Sequence, residues 1–108
     1  MVVESKQEVE PLRDAAALTS DLCAALLTPA DGREMAALLA DLCTPAEVRT
    51  LAERWHVARL LDGTPLSYRD IHEGTGVSTT TIVRVARFLK QESYRGYRRA
   101  IDRLGDAK

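Results

Sequence analysis

Short hydroxyl side chains and an arginine lie together in the segment GVSTTTIVR, which runs from Gly76 to Arg84. Three consecutive threonines are unusual at a helix start, because threonine loses rotamer freedom in a helix and its hydroxyl competes for backbone hydrogen bonds. Hydroxyl groups donate and accept hydrogen bonds, threonine methyl groups can contact the thymine methyl group, and arginine can bind O6 and N7 of guanine together. These residue types in this order therefore predict contacts with the base edges of DNA.

Two short helices and a glycine turn are predicted to position this segment. Ser67 is a candidate N-cap for a helix from Tyr68 to about Glu73. Gly76 is expected to adopt a positive φ in the turn, and Ser78 is expected to cap the next helix. The spacing is typical of a helix-turn-helix at about residues 68–90. The apolar residues expected to pack its helices are Ile71, Val77, Ile82 and Val85.

The remaining side chains of the motif form the predicted DNA-binding surface. The first residues of a recognition helix reach base edges, whereas flanking polar and basic residues contact phosphates. The base-reading candidates are Thr79, Thr80, Val83 and Arg84. The phosphate-contacting candidates are Arg69, Ser78, Thr81, Arg87 and Lys90. His72 stands where such motifs usually place alanine, so we expect either slightly splayed helices or an outward His72 that meets phosphate when protonated.

Charge is distributed unevenly along the chain. Residues 1–62 contain 6 Lys/Arg and 11 Asp/Glu, a net charge of −5, whereas residues 63–108 contain 9 and 5, a net charge of +4. Local positive charge supplies the sequence-independent part of binding to nucleic-acid phosphates. The basic half of the chain is also the half that contains the threonine-rich helix, which favours DNA as the partner.

The chain as a whole predicts an all-α fold of six helices. We expect residues 1–11 to be a disordered tail and residues 12–108 to form one helical domain. The first helix is expected to begin at Leu12, and the sequence TPAE from Thr44 is typical of the start of the third. That third helix is apolar on two faces, which predicts a covering partner such as a second subunit. The inward residues of the last helix are expected to be Tyr97, Ala100, Ile101 and Leu104.

Several classes of function are disfavoured by composition. No apolar run approaches the roughly 20 residues that span a bilayer, and the polar, acidic N-terminus resembles neither a signal nor a transit peptide, so we expect a cytoplasmic protein. Cys23 and Cys43 are expected to be reduced core cysteines. With His56 and His72 they lack the paired spacing of a zinc site, so no metal or cofactor is predicted. No catalytic triad or glycine-rich phosphate loop is present, so we expect no enzymatic activity.

Five segments resemble a known family. They are LCTPAE (Leu42–Glu47), RWHVARLLDG (Arg54–Gly63), SYRDI (Ser67–Ile71), TGVSTTTIVRV (Thr75–Val85) and GYRRAIDRL (Gly96–Leu104). Together they resemble the Trp repressor superfamily, and most closely its YerC/YecD-type branch, over about residues 33–104. The resemblance implies an intertwined six-helix homodimer on a pseudo-palindromic operator. It also implies that DNA faces Arg69, His72, Thr79, Thr80, Thr81, Val83, Arg84, Arg87 and Lys90.

The same resemblance implies a ligand pocket with an altered lining. Trp repressor holds tryptophan between two arginines, which match Arg54 and Arg84, and Thr44 matches a third lining residue. Val85 and Phe88 stand where the family has small residues and would occupy the volume of the indole ring. We therefore expect free tryptophan to bind poorly and Phe88 to hold the recognition helix in place. A different, smaller ligand is the alternative.

These observations predict a sequence-specific DNA-binding transcriptional regulator, a repressor, that binds double-stranded DNA as a homodimer. Its control by free tryptophan is not expected, and the sequence does not identify any other effector. Two alternatives stay open. One is the DNA-binding unit of a transposase-type or replication-type protein. The other is a helical protein-interaction module without DNA activity.

Overall fold

The computed structural model describes residues 14–106. This part of the chain contains six α-helices and no β-strand, as the apolar periodicity predicts. The helices are α1 (Ala15–Leu26), α2 (Gly32–Leu42), α3 (Pro45–Gly63), α4 (Tyr68–Thr75), α5 (Thr79–Lys90) and α6 (Gly96–Asp106). The predicted tail at residues 1–11 and the predicted helix start at Leu12 lie outside the described residues. The chain divides into two compact units, with the boundary between Thr44 and Pro45.

The first unit contains α1 and α2, each of which begins at an aspartate cap. The carboxylate of Asp14 accepts hydrogen bonds from the backbone N–H groups of Ala16 and Ala17, at 3.0 and 3.2 Å. Asp31 accepts one from the N–H of Glu34 at 2.9 Å. These bonds satisfy N–H groups that have no partner within the first turn of a helix. Local sequence thus fixes where both helices begin.

Neither helix of the first unit buries a residue in the single chain. Cys23 on α1 is exposed, whereas Cys43 is half-buried, and both thiols are free. The expectation that Cys23 is a core cysteine is therefore wrong for the single chain. The reason is that the apolar side of α1 remains open, with Leu18 and Leu22 each 43% exposed.

The second unit is built around one apolar core. Residues of α3, α4, α5 and the turn between α4 and α5 contribute its fully buried side chains, while α6 packs half-buried side chains against it. The core consists of Val57, Ala58, Ile71, Val77, Ile82 and Val85, so the four predicted helix-turn-helix core residues are confirmed. Leu104 is 48% exposed, which contradicts its predicted inward position. It lies near the end of α6, beyond Ile101, which does pack on the core.

Helix α3 has two apolar faces, as predicted, and the chain covers them unequally. Val57 is fully buried on one face. On the other face Ala58 is fully buried, Trp55 is half-buried and Leu51 is 46% exposed. The ring of Trp55 stacks on that of Tyr97, with centroids 6.4 Å apart. The open face around Leu51 is apolar surface that a further partner could cover.

An ion-pair network joins the end of α3 to α6. The Arg98 guanidinium contacts Asp62 through two bonds, Nη1–Oδ1 at 2.7 Å and Nη2–Oδ2 at 3.2 Å. Arg98 Nη2 also lies 2.7 Å from Asp102 Oδ1. Hydrogen bonding from Arg98 lowers the pKa of Asp62, and the two carboxylates raise the pKa of Arg98 further above its usual range. The network holds α6 in place at its first two turns.

Among residues 14–106, no helix is both long and apolar enough to cross a membrane. The same residues contain no group of three or more His, Cys, Asp or Glu side chains that could hold a metal ion.

Candidate nucleic-acid interface

Helix α4 begins where the sequence predicts and ends slightly later. The Ser67 hydroxyl accepts from the Asp70 N–H at 3.0 Å, and the Asp70 carboxylate accepts from the Ser67 N–H at 3.1 Å. This reciprocal pair is a capping box and fixes the first turn. The helix continues to Thr75, two residues beyond the predicted end at Glu73. Ile71 is its single buried residue and anchors it to the core.

A left-handed glycine reverses the chain between α4 and α5. Gly76 has φ 78° and ψ −1°, and its N–H donates to the His72 carbonyl. Only glycine adopts this conformation without a steric penalty, so the predicted positive φ is confirmed. The Thr75 hydroxyl donates to the Ile71 carbonyl at 2.6 Å and accepts from the Val77 N–H at 3.1 Å. The turn is therefore closed by bonds on both sides of Gly76.

His72 is exposed, but its ring also belongs to the turn. Its Nδ1 lies 2.7 Å from the Val77 carbonyl oxygen. Because a carbonyl oxygen only accepts, Nδ1 must donate, and it holds its proton in this contact. The ring atom available to an external phosphate is then Nε2. The structure thus gives His72 a structural role that the sequence did not reveal, and its predicted contact with DNA remains a prediction.

At the start of α5, two hydroxyl groups are hydrogen-bonded within the described part of the chain and two are not. The Ser78 hydroxyl caps the helix by accepting from the Thr81 N–H at 3.2 Å, and it donates to the Thr81 hydroxyl at 3.0 Å. Two of the predicted phosphate contacts are therefore bonded to each other. Thr79 and Thr80 are exposed, and no hydrogen bond of the described residues uses their hydroxyls. These two hydroxyls remain available to an external partner.

The outer face of α5 is exposed and basic. Val83 is 56% exposed, and Arg84 and Lys90 are exposed. The Arg84 guanidinium lies over the Phe88 ring, 4.4 Å from its centroid. Arg87 pairs with Glu92 at 2.9 Å, and its guanidinium lies 5.4 Å from the same ring.

Arg69, the basic residue predicted to contact phosphate from α4, forms an exposed ion pair, as Arg87 does. Arg69 pairs with Glu73 at 3.1 Å, and its side chain is 85% exposed. The charge of Arg69 is therefore held at the surface by a single carboxylate one turn along the helix.

A cavity of about 320 Å³ opens beside the outer face of α5. It is lined by Arg84, Phe88, Tyr94, Gly96 and Tyr97. The Phe88 and Tyr94 rings stack with centroids 6.1 Å apart and an angle of 15° between their planes. Tyr94 is 71% exposed, whereas Tyr97 is half-buried and packs on the core as expected.

The predicted ligand-pocket residues occupy different environments. Arg84 and Phe88 line the cavity, but Val85 is fully buried in the core. Arg54 is half-buried on α3, and its Nε is a buried atom without a hydrogen-bond partner in the described part of the chain. Thr44 is the last residue of the first unit. The sequence did not reveal that Tyr94 and Gly96 line the cavity, because their approach depends on the turn between α5 and α6.

The profile of the Trp repressor protein family matches residues 18–105. The chain belongs to the Trp repressor family. The match extends over all six helices apart from the first residues of α1 and the last residue of α6. Trp repressor family proteins are DNA-binding regulators. The helix-turn-helix arrangement of α4 and α5 agrees with that role.

Individual relatives agree with this assignment. The chain is 42% identical over 69 residues to the uncharacterized protein YerC of Bacillus subtilis (strain 168), a match that covers 63% of the chain and 64% of YerC. The expected likeness to the YerC-type branch is therefore confirmed, although the chain spans somewhat less than two thirds of the length of YerC. YerC is itself named as uncharacterized, so this match supports kinship and not a specific target.

Two solved structures share the fold over nearly the whole chain. A TrpR-like protein from Eubacterium eligens ATCC 27750 superposes with a TM-score of 0.74 and 38% identity, covering 89% of this chain and 95% of that one. A candidate Trp repressor from Staphylococcus aureus gives a TM-score of 0.75 and 34% identity, covering 90% of this chain and 93% of that one. The all-α, six-helix Trp repressor-like fold is thereby established.

Proposed function

We propose that this Trp repressor family member binds double-stranded DNA sequence-specifically as a homodimer and represses transcription from a pseudo-palindromic operator. The observation that carries the proposal is the division of α5 into two sides. Ile82 and Val85 anchor one side in the core, while Thr79, Thr80 and Arg84 are exposed on the other. Such a helix is held rigidly and presents polar groups to a groove. The proposed function involves no catalytic step.

Base reading is assigned to the exposed residues at the start of α5. The Thr79 and Thr80 hydroxyls make no hydrogen bond within the described residues. They can therefore bind a base without breaking a hydrogen bond of the protein. Arg84 must leave the Phe88 ring, and an exposed contact of this kind is worth about 0.5–1 kcal/mol. A bidentate contact with guanine contributes about 1–3 kcal/mol of discrimination. The loss of the contact with Phe88 is therefore no larger than the discrimination that a guanine contact supplies.

Phosphate binding is assigned to the basic residues that flank this helix. Arg69 and Arg87 each hold one carboxylate at the protein surface, at 3.1 and 2.9 Å. Exposed ion pairs of this kind contribute about 0–1 kcal/mol, so a phosphate can replace the carboxylate at little cost. Lys90 is exposed one turn beyond Arg87 and adds a further charge. Together these residues supply affinity that does not depend on base sequence.

The homodimer is proposed from apolar surface that the single chain leaves open. Helix α1 buries no residue, and Leu51 on the second face of α3 is 46% exposed. Extended apolar surface on a regulatory protein marks an interaction site, and most soluble homo-oligomers have two-fold symmetry. Two copies of α5 related by such an axis would read two half-sites about 34–36 Å apart. That arrangement accounts for a pseudo-palindromic operator.

We also propose that free tryptophan does not control this protein. Phe88 stacks on Tyr94 and carries Arg84 above its ring, so a side chain of the protein occupies space next to the arginine predicted to bind the ligand. The alternative is a smaller polar ligand, for which the buried Arg54 Nε without a partner is a candidate hydrogen-bond donor. Titration with free tryptophan should leave the melting temperature unchanged. A dose-dependent rise would overturn this proposal, because a ligand that binds the folded state raises its stability.

Binding to duplex DNA as a function of salt tests the central proposal. For the wild type we expect the logarithm of the binding constant to fall by about 0.9 for each tenfold rise in salt and each phosphate bound. Thr79→Ala combined with Arg84→Ala should abolish preference among sequences while retaining salt-dependent binding. Thr50→Ala combined with Arg49→Ala on α3 removes a matched exposed pair and serves as the control. Absence of salt-dependent binding would instead favour a helical protein-interaction module.

A further inference from the structure

Helix α6 and the residue before it carry a row of arginines that the proposed reading helix does not explain. Arg95, Arg99 and Arg103 follow one another at intervals of four residues, and all three are exposed. No ion pair within residues 14–106 involves any of them. We propose that these three residues, the α6 arginine row, form a second phosphate-contacting surface that binds the DNA backbone beside the reading helix. This inference rests on the proposed DNA binding.

No carboxylate in residues 14–106 pairs with the α6 arginine row. Like charges four residues apart on a helix repel each other and destabilise it. The neighbouring Arg98 is different, because it is held by Asp62 and Asp102 in the contact that ties α6 to α3. Arg98 thus joins two helices, whereas the three arginines of the row present their charge at the surface without a carboxylate partner in the described part of the chain. An anionic partner would relieve their mutual repulsion.

Arg95 adds a backbone observation that is independent of charge. Its φ is 60°, and it is the single non-glycine residue with positive φ in the described part of the chain. A left-handed conformation is unfavourable for a residue with a β-carbon, and glycine or asparagine would adopt it more readily. Strained positions of this kind concentrate at functional sites. An arginine therefore occupies a position where stability alone favours glycine.

A continuous series of contacts links the row to the reading helix. Arg84 and Arg87 lie over the Phe88 ring, and Phe88 stacks on Tyr94. Arg99 Nη1 in turn donates to the Tyr94 carbonyl oxygen at 3.2 Å. The basic surface therefore continues from α5 across the turn onto α6 without leaving the second unit. A partner that contacts Arg84 and Arg87 is thus close to Arg99.

The spacing of the row suits a nucleic-acid backbone. Residues four apart on an α-helix are separated by about 6 Å along its axis, so the row extends over about 12 Å. One strand of duplex DNA advances about 3.4 Å per phosphate and presents three or four phosphates over that length. Arginine binds phosphate through two parallel hydrogen bonds. Continuity with the proposed reading surface favours DNA over an acidic protein as the occupant.

The test removes charge from the row without touching the reading face. Arg99→Gln combined with Arg103→Gln should weaken binding to an operator and to random duplex by the same factor. The slope of log binding constant against log salt should become shallower by about one unit for each phosphate that the variant no longer binds. The control, Arg33→Gln combined with Arg49→Gln, removes two exposed arginines from α2 and α3 and should leave the slope unchanged.

A second variant separates binding from folding. Arg95→Gly removes one charge of the row and the left-handed strain together, so we expect a higher melting temperature and a shallower salt slope. If the wild type binds DNA and the Arg99/Arg103 variant shows the same slope of log binding constant against log salt, only the phosphate-contacting role of the α6 arginine row is overturned. Loss of binding to the operator only would assign Arg99 and Arg103 to base reading and would also overturn it. Absence of DNA binding by the wild type would overturn the proposed function itself and the row with it.

Discussion

Individual side chains in this protein separate into those that hold the scaffold and those that face outward. The contact between Asp62 and Arg98 belongs to the first kind, since it joins the end of α3 to α6 through two hydrogen bonds. Bidentate contacts between arginine and carboxylate are geometrically specific and stronger than single ion pairs. The side chains of Asp62 and Arg98 are 30% and 29% exposed, so solvent screens the contact only in part.

Stability should therefore depend on pH through Asp62. Hydrogen bonding by Arg98 lowers the pKa of Asp62 in the folded state. The contact consequently stabilises the fold at pH values above the ordinary aspartate pKa of about 3.9, and this contribution disappears as the pH falls through the lowered folded value. We expect Asp62→Asn to unfold at lower urea concentration than the wild type at pH 7, with the difference disappearing in acid.

Urea titrations between pH 7 and pH 2 measure this difference directly. Asp41→Asn, an exposed aspartate of α2, serves as the control and should follow the wild type at every pH. If the unfolding midpoints of the wild type and the Asp62→Asn variant differ by the same amount at pH 7 and at pH 2, the role assigned to the Asp62 carboxylate is contradicted.

At the level of elements, the turn between α4 and α5 determines the direction of α5. Gly76 is left-handed, with φ 78°, and an added β-carbon there would meet no atom within 4 Å. The cost of replacing this glycine is therefore conformational and not steric. Gly74, two residues earlier and inside α4, also has open space around it and a φ outside the left-handed region.

The two glycines give a paired prediction. Gly76→Ala should lower the free energy of unfolding by about 1–2 kcal/mol, because alanine is strained in the left-handed region. Gly74→Ala should raise it by up to about 1 kcal/mol, because alanine favours a helix interior more than glycine does. Urea denaturation with comparison of midpoints and slopes measures both changes. Equal effects of the two substitutions would show that the turn geometry does not limit stability.

Much of the second unit could be predicted from sequence because its determinants are local. Ser67 and Ser78 cap their helices as predicted, and the apolar spacing identified Ile71 and Ile82 as core residues. Tyr94 could not be placed, since its stack on Phe88 depends on a turn closed by a left-handed arginine that no sequence pattern signals.

Exposure of Cys23 and Leu104 was missed for a different reason. Both residues lie on apolar stripes, and periodicity predicts that a stripe is apolar without saying which molecule covers it. The hydrogen bonds between Ser78 and Thr81 and between His72 and Val77 were also missed. Short polar side chains can bond to neighbours within a turn or outward to a ligand, and sequence alone does not separate these outcomes.

For the whole molecule, the proposed homodimer makes a prediction about association. Leu51→Lys places a charge on the open apolar face of α3 and should shift sedimentation from dimer to monomer, since burying an unpaired charge in an interface is costly. Leu66→Lys provides the control, because Leu66 lies in the connection between α3 and α4 and is similarly exposed, at 42%. A Leu51→Lys variant that stays dimeric would place the interface elsewhere on the molecule.

Selection of genomic DNA fragments by the purified protein at about 150 mM salt tests the central claim most directly. The wild type should recover a pseudo-palindromic motif with half-sites about 10 base pairs apart, as two copies of α5 on successive major grooves require. The Thr79→Ala, Arg84→Ala variant should recover fragments without a motif. Equal, motif-free recovery by both proteins would contradict the assignment of sequence reading to the start of α5.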